Sequence, residues 1–173
     1  MSLKRTFWAV FAAMVLVYCA MVLWSLPIIM SDANGLMPFD LRPSGYTTEE
    51  ARAFLAALSE NGRAHYLGVQ HKLDTLYPGL MAVSLILAYL LLFPTKWAAG
   101  FSVLAVLAAV FDWNENGAVA DLLRLGAEGI DEEVVSIAAL FTMLKSGFVS
   151  VAMTILLVGV AGMMWRRWRG QLA

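Results

Sequence analysis

Four long apolar runs, separated by polar stretches, dominate the pattern of hydrophobic and polar positions along the chain. A helix of about 20 apolar residues crosses the roughly 30 Å hydrocarbon core of a membrane, so each run predicts a membrane-spanning helix. The first run follows Lys4 and Arg5, is longer than the apolar region of a signal peptide, and predicts a retained anchor. Pro27 is expected to kink or end it. The predicted spans cover approximately residues 6–30, 64–94, 97–117 and 132–166.

Composition supports the same interpretation, because 61% of the residues are hydrophobic and 14% are charged. Soluble domains have roughly 45–50% apolar and about 25% charged residues. The chain is therefore predicted to be an all-α membrane protein, with residues 1–173 forming a single transmembrane domain built as a four-transmembrane-helix bundle. The lipid bilayer is its first predicted partner. Its basic residues form no patch with interleaved aromatics, so nucleic acid is not expected to bind.

Charge is segregated between the two sides of the predicted bundle. All thirteen acidic residues lie in the stretches 32–74 and 112–133, on one side. The other side carries basic residues with no acid among them: Lys4, Arg5, Lys96, Arg166, Arg167 and Arg169. The positive-inside rule makes the basic side cytoplasmic. Both termini are thus predicted to be cytoplasmic, with outer-face segments at 31–63 and 117–131, and the expected location is a bacterial inner (plasma) membrane.

A capping box predicts an amphipathic helix on the outer face between spans one and two. Thr47 is the expected N-cap, and Glu50 follows three residues later. Apolar residues then recur at helical spacing on one face, which predicts a helix lying over the mouth of the bundle or on the lipid surface. Asn61 and Gly62 are expected to end this helix. A second helix is predicted to start near Arg63 and to continue into span two.

The third span is too short to cross the membrane on uncharged residues alone. Only 15 uncharged residues separate Lys96 from Asp112, and as a helix they cover roughly 22 Å. Asp112, and with it Glu115 and Asn116, must therefore enter the outer part of the membrane. Asn116 and Gly117 are expected to end the helix, and residues 126–129 are expected to form a break.

Polar residues on three spans are predicted to meet at one depth. On span two, Arg63, Tyr66, Gln70, Asp74 and Tyr77 recur at spacings of three and four, which places them on one helix face. Charged groups inside a membrane usually face the bundle and pair with one another. This predicts either a ligand-binding pocket or a structural ion-pair network. Its expected members are Arg63, Tyr66, Gln70, Asp74, Asp112, Glu115, Asn116 and Lys145.

Three functions remain open at this level. The first is binding or transport of a lipid or small amphiphile in an outward-facing polar pocket. The second is an accessory or assembly subunit, with other membrane subunits as partners. The third is an outward-facing membrane enzyme that uses Asp74 or Asp112 as general base, so the sequence leaves open whether the protein is an enzyme. No cofactor is identified and no metal site is predicted, because His65 and His71 are six residues apart and point in different directions on a helix.

Overall fold

The computed structural model describes residues 2–171, and in that range it contains helices and no β-strand. We number the helices α1 (Leu3–Asp32), α2 (Thr48–Ala57), α3 (Glu60–Leu92), α4 (Thr95–Gly129) and α5 (Glu132–Gln171). All but α2 are long and apolar enough to cross a membrane. The prediction of an all-α fold is confirmed for the described residues, with four helices that could serve as the predicted spans by their length and composition.

The long helices carry their apolar residues largely on the outside. In the most apolar window of each helix, between 11% and 39% of the residues are buried. Leu16, Trp97 and Leu157 are each more than half exposed. A soluble protein rarely exposes apolar surface on this scale. Exposure on this scale is consistent with helices that face lipid.

The four long helices form an incompletely closed bundle. Helix α3 packs between α1 and α4, and α5 packs against α4 and, less extensively, against α3. Within the described residues, α1 and α5 make no extended contact with each other. The bundle is therefore open along one side, between its first and last helices.

The bundle has two hydrophobic cores, one near each end. We call the end that carries α2 and residues 33–47 the acidic end, and the opposite end, with the 93–94 turn, the basic end. At the acidic end, α2 packs across α4 and α5 and buries Phe54 and Leu55 together with Phe39. Towards the basic end, the Tyr89 hydroxyl donates a hydrogen bond of 2.7 Å to the carbonyl of Ala152 within the second core. The polar residues that the sequence predicts to meet at one depth, such as Asp74, Asp112 and Lys145, lie between these two cores. We call them the polar cluster.

The predicted start of α2 is confirmed. The Thr47 hydroxyl accepts a hydrogen bond from the Glu50 N–H at 3.2 Å, and the Glu50 carboxylate accepts one from the Thr47 N–H at 2.8 Å. The predicted end at Asn61 and Gly62 is wrong, because α2 ends at Ala57. Those two residues lie in the first turn of α3, which starts at Glu60 rather than near Arg63.

A contact between α1 and α3 explains why the chain starts a new helix at this point. The Asp32 carboxylate, at the end of α1, accepts hydrogen bonds from the backbone N–H and the hydroxyl of Ser59 at 2.9 and 2.8 Å. The Ser59 hydroxyl in turn accepts a hydrogen bond from the Gly62 N–H and caps α3. A Cβ on Gly62 would overlap the Asp32 carboxylate, so this position requires glycine for close approach.

Two other predicted helix ends differ from the structure. Helix α4 continues past Asn116 and Gly117 to the break at Gly126, where φ is 72° and ψ is 178°. A break within 126–129 was predicted, and Gly126 confirms it. Helix α1 does not end at Pro27 but continues to Asp32, and a π-helical segment, Met21–Ser25, precedes the turn that contains the proline.

Candidate functional site: a polar cavity open between α1 and α5

Pro78 opens the hydrogen-bond ladder of α3 at the cluster. Proline has no N–H, so the carbonyl of Asp74, four residues earlier, loses its helical donor. The Asn116 amide on α4 donates to this carbonyl at 2.8 Å, and the Trp113 indole donates to the carbonyl of Thr75 at 2.8 Å. Because the Asn116 side chain bonds to α3 in this way, the residue stays inside a helix instead of ending one. The two contacts fix the position of α4 against α3.

An ion pair holds α5 against α4 at the same level. The Lys145 ammonium pairs with the Glu115 carboxylate and lies 3.7 Å from Oδ1 of Asp112. The Lys145, Glu115 and Asp112 side chains are 15%, 0% and 7% exposed. Charges so deeply buried are stable only when they are paired. This part of the cluster therefore has a structural role whatever else it does.

Two further carboxylates are held by hydrogen bonds and form no ion pair within residues 2–171. The Tyr66 hydroxyl donates to Oδ2 of Asp40 at 2.7 Å, and the Gln70 amide donates to Oδ2 of Asp74 at 2.7 Å. Tyr66, Gln70 and Asp74 are all buried. The polar stripe predicted for span two thus faces the interior of the bundle at these three positions.

Asp40 is a member of the cluster that the sequence interpretation missed. It lies in a loop between turn-forming residues and resembles an ordinary solvated acid. In the structure it sits in a 3-10 turn, Phe39–Leu41, whose first residue is fully buried in the acidic-end core. The available signal was the pair of apolar residues on either side of Asp40, Phe39 and Leu41. Burial of such side chains is favourable, and it brings the acid between them towards the interior.

Three of these carboxylates, those of Asp40, Asp74 and Asp112, line a cavity of about 190 Å³. Its polar wall is formed by Asp40, Asp74, Asp112, Lys145 and Ser146, with the Tyr77 ring beside them. Its apolar wall comes mainly from α1 and from the turns towards the basic end, with Tyr18, Met21, Val22, Leu26, Leu41, Met81 and Val149. The lining thus joins α1 to α5 across the side where these helices do not pack together.

Two π-helical segments lie beside the cavity. The segment Met21–Ser25 of α1 contacts the segment Tyr66–Gln70 of α3. Next to this contact, the Ser25 hydroxyl and Nε2 of His65 form a hydrogen bond of 3.0 Å between the two helices. π-helical segments are rare and occur frequently at functional sites. They turn Met21 towards the cavity and Tyr66 and Gln70 towards its carboxylates.

The structure brings seven of the eight predicted site residues together and leaves one apart. Arg63 neither lines the cavity nor forms an ion pair within the described residues. Its guanidinium lies against Gly126, where an added Cβ would be 3.2 Å from Nη1. Glu115 and Asn116 belong to the second layer of the cluster, because they contact Lys145 and Asp74 without lining the cavity.

The residues around the cavity limit whether it could conduct a polar molecule through the bundle or hold a metal ion. Towards the basic end, the interior is filled by apolar side chains such as Met81, Leu85 and Ala105. On the acidic-end side, the Tyr46 hydroxyl lies near Thr142, and burial raises the pKa of Tyr46 above its ordinary value. Among the described residues, no three His, Cys, Asp or Glu side chains are placed to hold a metal ion. The cavity is a pocket rather than a polar path along the whole bundle.

Within the described residues, the structure is all-helical, has four helices long and apolar enough to span a membrane, and contains a cavity lined by three carboxylates and an ammonium. No family model matches the chain, and no curated protein or solved structure is significantly similar to it. The functional argument therefore depends on the geometry of the cavity.

Proposed function

We propose that the protein is a small integral membrane protein that binds or transports a lipid or small amphiphile in this cavity. The observation that carries the proposal is the two-sided lining of the cavity at the open side of the bundle. Carboxylates and an ammonium form one wall, and apolar side chains form the other. A molecule with a polar head and an apolar tail matches both walls. The apolar core towards the basic end favours binding over passage through the bundle.

The depth of the cavity supports entry from the bilayer. Asp112 is 16 residues along α4 from Lys96, and Lys145 is 21 residues along α5 from Arg166. As helices, these segments measure about 24 and about 32 Å. If the basic residues mark one membrane surface, the cavity lies near the opposite surface of a roughly 30 Å hydrocarbon core. Lipid head groups are found at that depth.

The proposed orientation places the basic end and both termini in the cytoplasm, so the cavity opens on the outer side of a bacterial inner membrane. The test uses single cysteines in a Cys19→Ser background. Glu128→Cys lies at the acidic end and Lys96→Cys at the basic end, and both positions are exposed. An impermeant maleimide applied to intact cells should label the cysteine at position 128 and leave the one at 96 unlabelled. The reverse pattern would contradict the proposed orientation.

A cavity-filling variant tests the proposed function directly. Val149 lines the cavity, whereas Val151 on the same helix is 49% exposed. Val149→Trp should occupy the space of the head and first tail carbons, and Val151→Trp should project into lipid. Native mass spectrometry of protein purified in mild detergent should find a bound amphiphile on the wild type and on Val151→Trp and lose it on Val149→Trp. Equal retention by both variants, or no adduct on the wild type, would overturn the proposal.

An enzyme with a carboxylate base is the second candidate. It is favoured by the presence of Asp74 and Asp112 on the cavity wall, where a bound substrate would contact them. A general base must lie within hydrogen-bond reach of the proton that it removes. If an activity on a lipid is found, Asp74→Asn and Asp112→Asn should each reduce kcat. An activity that both variants retain would exclude this role.

The accessory-subunit function makes a different prediction. Protein purified from its native membrane should then carry other membrane subunits, and removal of those subunits should leave the cavity without a ligand. Purification of the single chain with a bound amphiphile would favour the first proposal.

A further inference from the structure

The cavity has a strong imbalance of charge. Four carboxylates, those of Asp40, Asp74, Asp112 and Glu115, lie on or beside its wall. Lys145 is the single cation that pairs with any of them among the described residues, and it is shared by Asp112 and Glu115. Asp40 and Asp74 have neutral donors only, from Tyr66 and Gln70. The cluster therefore has three more acids than cations.

The unpaired buried atoms of the cluster are also acceptors. Gln70 donates through its amide nitrogen, while its Oε1 is buried and has no donor in the described structure. Oε1 of Glu115 is likewise buried without a donor in that structure. A buried acceptor without a donor is costly, and more so where water is excluded. What the cluster lacks is positive charge together with N–H or O–H groups.

The size of the cavity limits how much of a ligand it can contain. Sites for whole drug-sized ligands usually measure about 300–1,000 Å³, whereas this cavity measures about 190 Å³. It has room for a head group and the first tail carbons. The rest of an acyl chain must then leave through the open side, between α1 and α5, both of which contribute to the lining of the cavity.

From these observations we propose that the ligand is an amphiphile whose head group carries a hydrogen-donating ammonium. The inference rests on the proposed function and names the chemistry of its ligand. The ammonium lies among the carboxylates of Asp40, Asp74 and Asp112, which line the cavity, and supplies these three groups with a cation and N–H donors. An anionic head group would lie among acids that outnumber the single cation, and is therefore disfavoured. The tail extends between α1 and α5 into the bilayer.

The test compares three single-chain amphiphiles of one tail length. Dodecylamine, dodecanol and dodecanoate are titrated against the wild type in nanodiscs of phosphatidylcholine, and binding is followed by thermal unfolding. We expect dodecylamine to bind at least about tenfold more tightly than dodecanoate, because each lost charge pair in a buried site weakens binding strongly. Asp74→Asn and Asp40→Asn should each remove most of this preference. Asp40 is only partly buried, so its variant should fold even if the first does not.

The matched control is Asp121→Asn, which removes one negative charge from an exposed position where Asp121 pairs with Arg124. The alternative explanation of a preference for dodecylamine is attraction of the cation to surface charge. If the cavity carboxylates are responsible instead, this variant should show the same preference as the wild type. Loss of the preference in this control would attribute the effect to surface charge and overturn the inference.

The remaining outcomes separate this inference from the function on which it rests. If dodecanol or dodecanoate binds as tightly as dodecylamine, and Val149→Trp blocks that binding, the inference of an ammonium head group is overturned. The proposal that the cavity binds an amphiphile is then still supported. No difference between the wild type and Val149→Trp for any of the three would overturn both. A second arm compares phosphatidylethanolamine with phosphatidylcholine. Preferential retention of phosphatidylethanolamine would support the inference with a membrane lipid as source, and dodecylamine binding without it would support a free amine.

Discussion

Removal of the Lys145 ammonium is the perturbation whose cost follows most directly from the structure. In Lys145→Met the aliphatic stem is largely kept, and the charge is lost from a side chain that is 15% exposed. Glu115, which is fully buried, and Asp112, which is 7% exposed, are then left without a cation. Breaking a buried pair by removing one partner costs about 3–5 kcal/mol. We expect Lys145→Met to lower the free energy of unfolding by about that amount.

The double variant Glu115→Gln/Lys145→Met separates the lost pair from lost packing. It removes both charges, so it should recover about 2 kcal/mol or more relative to Lys145→Met alone. The assay is reversible unfolding in mixed micelles by a denaturing detergent, followed by the fluorescence of the six tryptophans.

The control is Arg124→Met. It breaks a pair with Asp121 of 2.8 Å whose side chains are 63% and 65% exposed, and such a pair is worth at most about 1 kcal/mol. If Lys145→Met unfolds like the wild type, or like Arg124→Met, the argument that the cluster is buried and paired is refuted.

Two further predictions concern the contacts that position the cavity. Asn116→Leu should lower the free energy of unfolding by about 1–3 kcal/mol, because a buried carbonyl of α3 loses its donor. In a Pro78→Ala background the restored N–H should remove most of this cost. An equal cost in both backgrounds would contradict the role of Asn116 as donor to the carbonyl that Pro78 frees. In the wild-type background, Gly62→Ala should lower the free energy of unfolding by about 1–3 kcal/mol, because the new Cβ overlaps the Asp32 carboxylate. Gly100→Ala, where the added Cβ meets no atom within 4 Å, should be neutral or stabilising, and equal effects at the two glycines would show that the α1–α3 contact is not required.

Much of the architecture follows from the sequence because its signals are local. Three charge-free runs long enough to cross the hydrocarbon core, together with a shorter third run, predict four spans, and the structure has four helices long and apolar enough to cross a membrane. Thr47 and Glu50 predict the start of α2, and the reciprocal hydrogen bonds confirm it. The short third span predicts that Asp112 and Glu115 lie in the outer part of the membrane, and in the structure both side chains are buried within the bundle.

The missed helix ends have non-local causes. Asn116 and Gly117 form a good local stop signal, but the Asn116 amide is needed by a carbonyl that Pro78 frees on another helix. Asn61 and Gly62 form the same kind of signal, and here the carboxylate at the end of α1 sets the helix start instead. Turn propensity does not include such tertiary contacts.

The cavity itself could be predicted only in part. Helical spacing identifies Tyr66, Gln70 and Asp74 as one face, and all three are buried in the structure. The same spacing includes Arg63, which in fact lies against Gly126. The separation of α1 from α5 depends on how the four helices pack, and no pattern along a single helix contains that information.

The most direct test of the account is a density map of the protein purified from its native membrane without denaturation. The account predicts a gap between α1 and α5 that contains elongated density, with its head among Asp40, Asp74 and Asp112 and its tail directed into the bilayer. A map in which α1 packs against α5 and closes the cavity, or in which Asp74 and Asp112 face lipid, would contradict it.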